Sequence, residues 1–259
     1  MTVRVVKVGG ELAEPPHLQR IARDLAALDG SVVLVHGGGQ QLDQALAEQG
    51  SASPRVAGRR VTSPNVLSRA IAVWRGTLST RWVTALTQAG RPAVGLCGAD
   101  GGLLLAARRP PRIVDGQVVD YGEVGDLQSC DPAVLQALLA IDLVPVVSPL
   151  VPNDAGALLN VNADTVAAFI AATLHAELVV LTSADGVLAD PDDPDSGIPS
   201  LTTEELDRLL ASPAIRGGMQ PKLQAIRSGL HRGLPCARVI DGRQANALLR
   251  DGGSRILGG

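Results

Sequence analysis

The sequence predicts an α/β fold built on a mainly parallel sheet, and three observations point there. Short apolar runs bounded by turn residues alternate with amphipathic stretches of about ten residues or more, the signature of βαβ units. Two of the apolar runs pass directly into glycine-rich turns, Gly9-Gly10 and Gly37-Gly38-Gly39. The chain has 259 residues, 46% of them hydrophobic and 19% charged. That is long enough for one large domain or two fused lobes, with no staple needed to hold a core.

Along the chain, strands are predicted at residues 3–8, 32–36, 93–96, 144–148, 178–181 and 237–240. Helices are predicted at 17–28, 40–48, 66–88, 132–140, 163–174, 203–210 and 219–230, several with a Gly just past the end as a stop signal. Asp115-Gly116, between Ile113-Val114 and Val118-Val119, predicts a two-residue hairpin projecting from the layered core. The acidic, proline-rich segment 190–195 reads as a solvated surface loop. There is no internal repeat and no low-complexity linker.

Composition narrows the function. A formal charge of −3 supplies no field for a polyanion, and one Phe, one Tyr and two Trp make no base-stacking platform, so nucleic acid is excluded as a partner. Asp142 interrupts one long apolar run, and His175 and Glu177 interrupt the next, so no stretch reaches the roughly 18 uncharged apolar residues of a bilayer helix. The first residues lack the apolar segment of a signal peptide, and a cytoplasmic protein is expected. Cys97, Cys130 and Cys236 lie far apart and read as reduced packing residues. The four histidines show no metal-ligand spacing, and no protein-held metal is expected.

The most informative count concerns lysine. Of 23 basic residues only two, Lys7 and Lys222, are Lys. A chain that uses Arg for generic positive charge keeps Lys where a compact point charge must fit a narrow slot against a phosphoryl oxygen. Both sit beside glycine pairs, in Lys7-Val8-Gly9-Gly10 and Gly217-Gly218-Met219-Gln220-Pro221-Lys222. The two strand–glycine turns offer unpaired backbone N–H groups, and the second adds a positive helix end, which together suit an anion. Their spacing matches neither the dinucleotide nor the P-loop pattern. In Asn160-Val161-Asn162-Ala163-Asp164, Asn162 reads as a helix cap, and Asp164 is positioned to orient lysine ammonium groups. In Gly58-Arg59-Arg60-Val61-Thr62 a guanidinium is available for two-point grip of a carboxylate, although surface arginines are usually only solvated.

Taken in order, Lys7-Val-Gly-Gly10, Val35-His-Gly-Gly-Gly39, Gly58-Arg-Arg-Val-Thr62, Asn160-Val-Asn-Ala-Asp164 and Gly217-Gly-Met-Gln-Pro-Lys222 resemble the amino acid kinase family, over nearly the whole chain. Within it they resemble the members that phosphorylate N-acetyl-L-glutamate. The resemblance implies a three-layer αβα sandwich, with an N-terminal lobe (1–174) for the acyl substrate and dimerisation and a C-terminal lobe (175–259) for ATP. It implies phosphoryl transfer from ATP, with Mg2+ carried by the nucleotide, to the side-chain carboxylate, in arginine biosynthesis.

Carried over position by position, the resemblance makes Lys7 and Lys222 the groups on the transferring phosphoryl and its leaving side, with Asp164 holding both. Gly10 and Gly38 would cradle the γ-phosphate, and Gly38, Gly39, Arg60 and Asn160 would bind the amino acid, Arg60 on its α-carboxylate. On the nucleotide side it implies Gly9, Gly10, Ser183, Asp185, Gly186, Leu188, Ile215 and Arg216. The family commonly has Asp where Ser183 stands and Thr where Arg216 stands. Arginine-inhibited members carry a helix before the first strand, which here begins by Val3, so a homodimer without strong arginine feedback is expected. Pairing is expected through the helix at 66–88.

Two alternatives belong to the same scaffold. A kinase for carrier-linked aminoadipate, of lysine biosynthesis, calls for a basic rim such as Arg55, Arg59 and Arg69. A non-catalytic nucleotide-binding protein calls for loss of one lysine, and both are present. Replacing Lys222 with Arg keeps charge and changes shape, so turnover should fall far more than nucleotide affinity. Parallel measurement of kcat and ATP-analogue Kd checks this; unchanged turnover removes the role.

Overall fold

A computed structural model describes residues 2–258 except 185, 191, 194, 213, 214 and 216. The first half runs β1 (Val3–Val8), α1 (His17–Ala26), β2 (Ser31–His36), α2 (Gly39–Ala47), β3 (Arg55–Val56), β4 (Arg59–Arg60), α3 (Pro64–Ala70), a π segment (Ile71–Leu78), α4 (Ser79–Gln88) and β5 (Ala93–Leu96). There follow β6 (Leu104–Arg108), β7 (Arg112–Val114), β8 (Gln117–Val119), β9 (Gly125–Cys130), α5 (Ala133–Ala140), β10 (Val144–Val147), β11 (Leu150–Pro152), β12 (Leu158–Asn160) and α6 (Ala163–Thr173). The chain closes with β13 (Glu177–Thr182), β14 (Val187–Leu188), β15 (Gly197–Ile198), β16 (Ser200–Leu201), α7 (Thr203–Ala211), α8 (Met219–Leu230), β17 (Cys236–Asp241) and β18 (Ser254–Leu257).

Eight strands form one sheet in the order β16-β18-β17-β13-β1-β2-β10-β5, parallel throughout except where β18 runs against β17. Alternate residues of its central strands feed two separate cores. Val5, Val33, Val35, Leu178 and Val180 enter one, with side chains from α5, α6 and α8. Val6, Val8, Val32, Leu34, Val179 and Leu181 enter the other, with α1, α2 and the long helix from α3 to α4. Strands buried on both faces read as continuous apolar runs, which is why the sequence shows unbroken valine and leucine here. The result is the expected three-layer αβα sandwich.

All six predicted strands and all seven predicted helices are present, with ends shifted by a few residues. The helix predicted at 66–88 is continuous from Pro64 but widens to π geometry between Ile71 and Leu78. Asp115 and Gly116, with φ of 48° and 75°, turn the β7–β8 hairpin as expected from their sequence. Outside the predicted hairpin, the strands of two or three residues (β3, β4, β11, β12, β14, β15 and β16), with β18 and the β6–β9 pair, carry too short or too polar a pattern for periodicity to register.

The parallel pairing decides where chemistry can collect. Lys7 lies opposite Val35 on β2 and Val180 on β13, so β1, β2 and β13 release their chains at the same edge of the sheet. Gly9-Gly10, Gly37-Gly38-Gly39 and Ser183 all follow these ends. Open α/β sheets bind ligands at this carboxyl edge. Among the described residues no helix is long and apolar enough to cross a membrane.

Candidate active site

Lys7 points from the middle of the sheet towards α6, where Asp164 occupies the first turn. The Lys7 Nζ and Asp164 Oδ1 are 2.8 Å apart, and both side chains are buried. Asn162 caps α6 as predicted, accepting from the Thr165 N–H at 3.0 Å, and so fixes where the Asp164 side chain emerges. Lys222 stands in the first turn of α8, half-buried. Its ammonium donates to the Gly218 carbonyl at 3.3 Å. Burial, then the neighbouring Lys7 charge, hold the Lys222 pKa below the ordinary lysine value, while Asp164 and Glu11 pull it back up.

The two ammonium groups therefore share one electrostatic site, but the expectation that Asp164 grips both needs correction. Its direct ion pair is with Lys7; Lys222 feels Asp164 only as a neighbouring charge and spends its hydrogen bond on its own helix start. Glu11 is a member of this charge group that the sequence reading passed over. Its place immediately after Gly9-Gly10 was the available signal.

The two glycine turns abut. A Cβ on Gly10 would lie 3.3 Å from the Gly38 Cα and 3.3 Å from the Gly39 N. Gln41 ties them together by donating to the Gly10 carbonyl at 2.9 Å. A Cβ on Gly9 would sit 2.4 Å from Glu11 Oε2. Gly38 is the N-cap of α2, whose first turn leaves backbone N–H groups without intrahelical acceptors. Backbone donors and the positive helix end thus converge beside Lys7.

Arg60 is buried next to this turn. Its Nη2 donates to the Gly39 carbonyl at 3.0 Å and its Nη1 lies 2.6 Å from Asp43 Oδ1. Burial works against the Asp43 carboxylate, but Arg60 and Arg55 outweigh it and hold its pKa below the usual range. Arg55, one of the three arginines of the supposed basic rim, is thereby neutralised by Asp43 at 2.8 Å. Asn160, at the end of β12, donates to Thr62 Oγ1 at 2.9 Å, joining two of the motifs noted in the sequence.

The nucleotide-side candidates are spread along a different stretch. Ser183 is exposed just past β13, and Leu188 pairs with Gly197 in the β14–β15 hairpin. Gly186 is buried at φ 86°, where a Cβ would meet Ser254 Oγ at 2.7 Å. The Ile215 side chain packs in the core shared with α6 and α8. Asp185 and Arg216 lie outside the described residues. Among the described residues no three His, Cys, Asp or Glu side chains are grouped to hold a metal ion.

Residues 2–240 match the model of the amino acid kinase family. The chain belongs to the amino acid kinase family. Acetylglutamate kinase from Myxococcus xanthus is 42% identical over 258 residues, covering 95% of this chain and 84% of the relative. Acetylglutamate kinase from Methanothrix thermoacetophila is 35% identical, over 96% and 88%. Among solved structures, N-acetylglutamate synthase from Neisseria gonorrhoeae, complexed with coenzyme A and N-acetyl-glutamate, superposes with a TM-score of 0.83 at 27% identity. It is covered over 99% of this chain and 59% of its own. Carbamate kinase from Giardia lamblia bound to AMP-PNP shares the fold, with a TM-score of 0.71 at 16% identity over 100% of this chain and 99% of its own.

Two predictions test the physics of this amino acid kinase site. Asp164→Asn leaves a buried ammonium without its counter-charge, and urea denaturation should show a loss of about 3–5 kcal/mol; a loss under about 1 kcal/mol would mean that the pair is already solvated. The second concerns His36, wholly buried beneath the triple glycine, whose Nδ1 donates to the Gly37 carbonyl at 2.9 Å. Burial lowers its pKa from 6.5 to about 4, so the native state holds it neutral. Its contribution to stability is complete above pH 6.5 and is lost as pH falls from there towards 4, by roughly 3 kcal/mol in all. The fall in unfolding free energy across this range should be larger in wild type than in His36→Gln by about that amount; equal falls would place the titration elsewhere.

Proposed function

We propose that this chain transfers the γ-phosphoryl group of ATP to the side-chain carboxylate of N-acetyl-L-glutamate, giving N-acetyl-L-glutamyl 5-phosphate and ADP, a step of arginine biosynthesis. The observation that carries the reading is the buried Lys7–Asp164 pair, 2.8 Å apart, beside two abutting glycine turns. A carboxylate oxygen must form a bond to phosphorus while the bond to the ADP oxygen breaks, and both reactants are anions. Such a transfer asks the protein for neutralisation and alignment more than for acid or base.

In this reading Lys7 faces the transferring phosphoryl and Lys222 its leaving side, so charge is compensated at both ends. Backbone N–H groups of Gly10 and Gly38 hold the γ-phosphate oxygens. Gly38, Gly39, Arg60 and Asn160 bind the amino acid, with Arg60 directed at the α-carboxylate from a position that Asp43 pre-sets. Gly9, Ser183, Gly186, Leu188 and the neighbourhood of Ile215 belong to the nucleotide side. Magnesium, arriving on the nucleotide phosphates, would supply further charge neutralisation. Residues 1–174 form the acyl lobe and 175–259 the ATP lobe of one continuous sheet, in a cytoplasmic homodimer paired through the helix Pro64–Gln88. The relatives' names favour the free acetylated amino acid over a carrier-linked substrate.

Hydroxylamine trapping of the acyl phosphate tests the assignment. With ATP, acetylglutamate should yield hydroxamate while glutamate and aminoadipate yield little. A signal confined to either of the others would replace the substrate.

A further inference from the structure

The geometry points to Trp74 as a positioning residue that fixes the Gly38–Gly39 peptide plane, and with it the Gly39 N–H, within the anion turn. The inference rests on the kinase reading of that turn. Val66, Ala70, Trp74, Leu78, Trp82 and Leu86 are all buried and recur every four residues. In an α-helix such a stripe drifts by about 40° per step and would leave the sheet within a few turns. The eight residues Ile71–Leu78 adopt the wider π turn, which drifts the other way and keeps the stripe inward. Insertions of this kind are frequent at functional sites, and here the π segment is the part that touches the glycine turn.

Trp74 Nε1 donates to the Gly38 carbonyl at 2.9 Å, and the Leu42 N–H donates to the same oxygen at 3.0 Å. A Cβ on Gly38 would lie 2.5 Å from Leu78 Cδ1 and 2.6 Å from Trp74 Cδ1, so the turn is pressed against both side chains. The peptide unit is planar and trans, so the Gly38 C=O and Gly39 N–H point in opposite directions. Drawing the carbonyl into the core therefore turns the N–H away from it. The Gly39 nitrogen lies 3.3 Å from the point a Gly10 Cβ would occupy, between the two turns. Trp82, eight residues on and equally buried, has an indole nitrogen without a hydrogen-bond partner among the described residues. The bond made by Trp74 is thus specific to the turn and not a general feature of tryptophans on this helix.

Trp74→Phe removes the donor and keeps most of the ring; Trp82→Phe, a comparable loss of packing elsewhere on the helix, is the control. Trp74→Phe should lower kcat about tenfold or more, while Trp82→Phe stays within about twofold of wild type. Trp82→Phe also leaves Trp74 as the sole tryptophan, since the chain has two, and its emission should shift as AMP-PNP saturates the site. Equal kcat in the two variants overturns the inference, as does an emission unmoved at saturating AMP-PNP. Should Trp74→Phe fail to fold, the titration alone decides. A wild type that gives no hydroxamate would remove the substrate reading, and the titration would still judge the role of Trp74.

Discussion

A lysine near the carboxyl end of a buried strand is the constraint around which this molecule is arranged. Lys7 sits between Val6 and Val8 on β1, flanked by β2 and β13, in surroundings where an unpaired charge is costly. Asp164 makes the charge tolerable. Its own charge is helped by its place in the first turn of α6, where the helix end is positive. The position of α6 across the sheet, its cap at Asn162 and the path of the chain through β11 and β12 all serve to bring one carboxylate to one strand.

Much of this was legible because the signals were local. Valine-rich runs mark strands that are buried on both faces, glycine clusters mark their exits, and two lysines among 23 basic residues mark the places where a guanidinium does not fit. What stayed hidden depends on which elements become neighbours. Asp43 on α2 reads as an ordinary surface acid until β4 brings Arg60 to it at 2.6 Å. Glu11 joins the charge group only because α8 brings Lys222 near the end of β1. Lys222 was expected to share Asp164, but the first turn of α8 offers its own carbonyl, and no sequence pattern distinguishes those outcomes. The edge strand β16 and its neighbour β18 are short, and they join the sheet only because β18 pairs with β17 and β16 then pairs with β18.

The scarcity of lysine has a structural side as well. Arginine forks act as fasteners between segments: Arg91 donates to the Leu25 and Leu28 carbonyls at 2.8 Å each, at the end of α1, and Arg4 joins Glu177 to the Asp29 carbonyl. A planar group with several donors can satisfy two acceptors at once, which an ammonium on a flexible stem does less well. Lysine is thereby left for the positions where compactness matters.

The sheet also acts as a partition. Lys7, Asp164 and Lys222 are seated on the layer formed by α6 and α8, whereas the glycine amides are seated on the layer formed by α2 and the long helix bearing Trp74. The cationic and the amide halves of one site are thus anchored in two hydrophobic interiors that do not mix. Repacking in either interior retunes its own half, so evolution can adjust charge and amide geometry as separate inheritances.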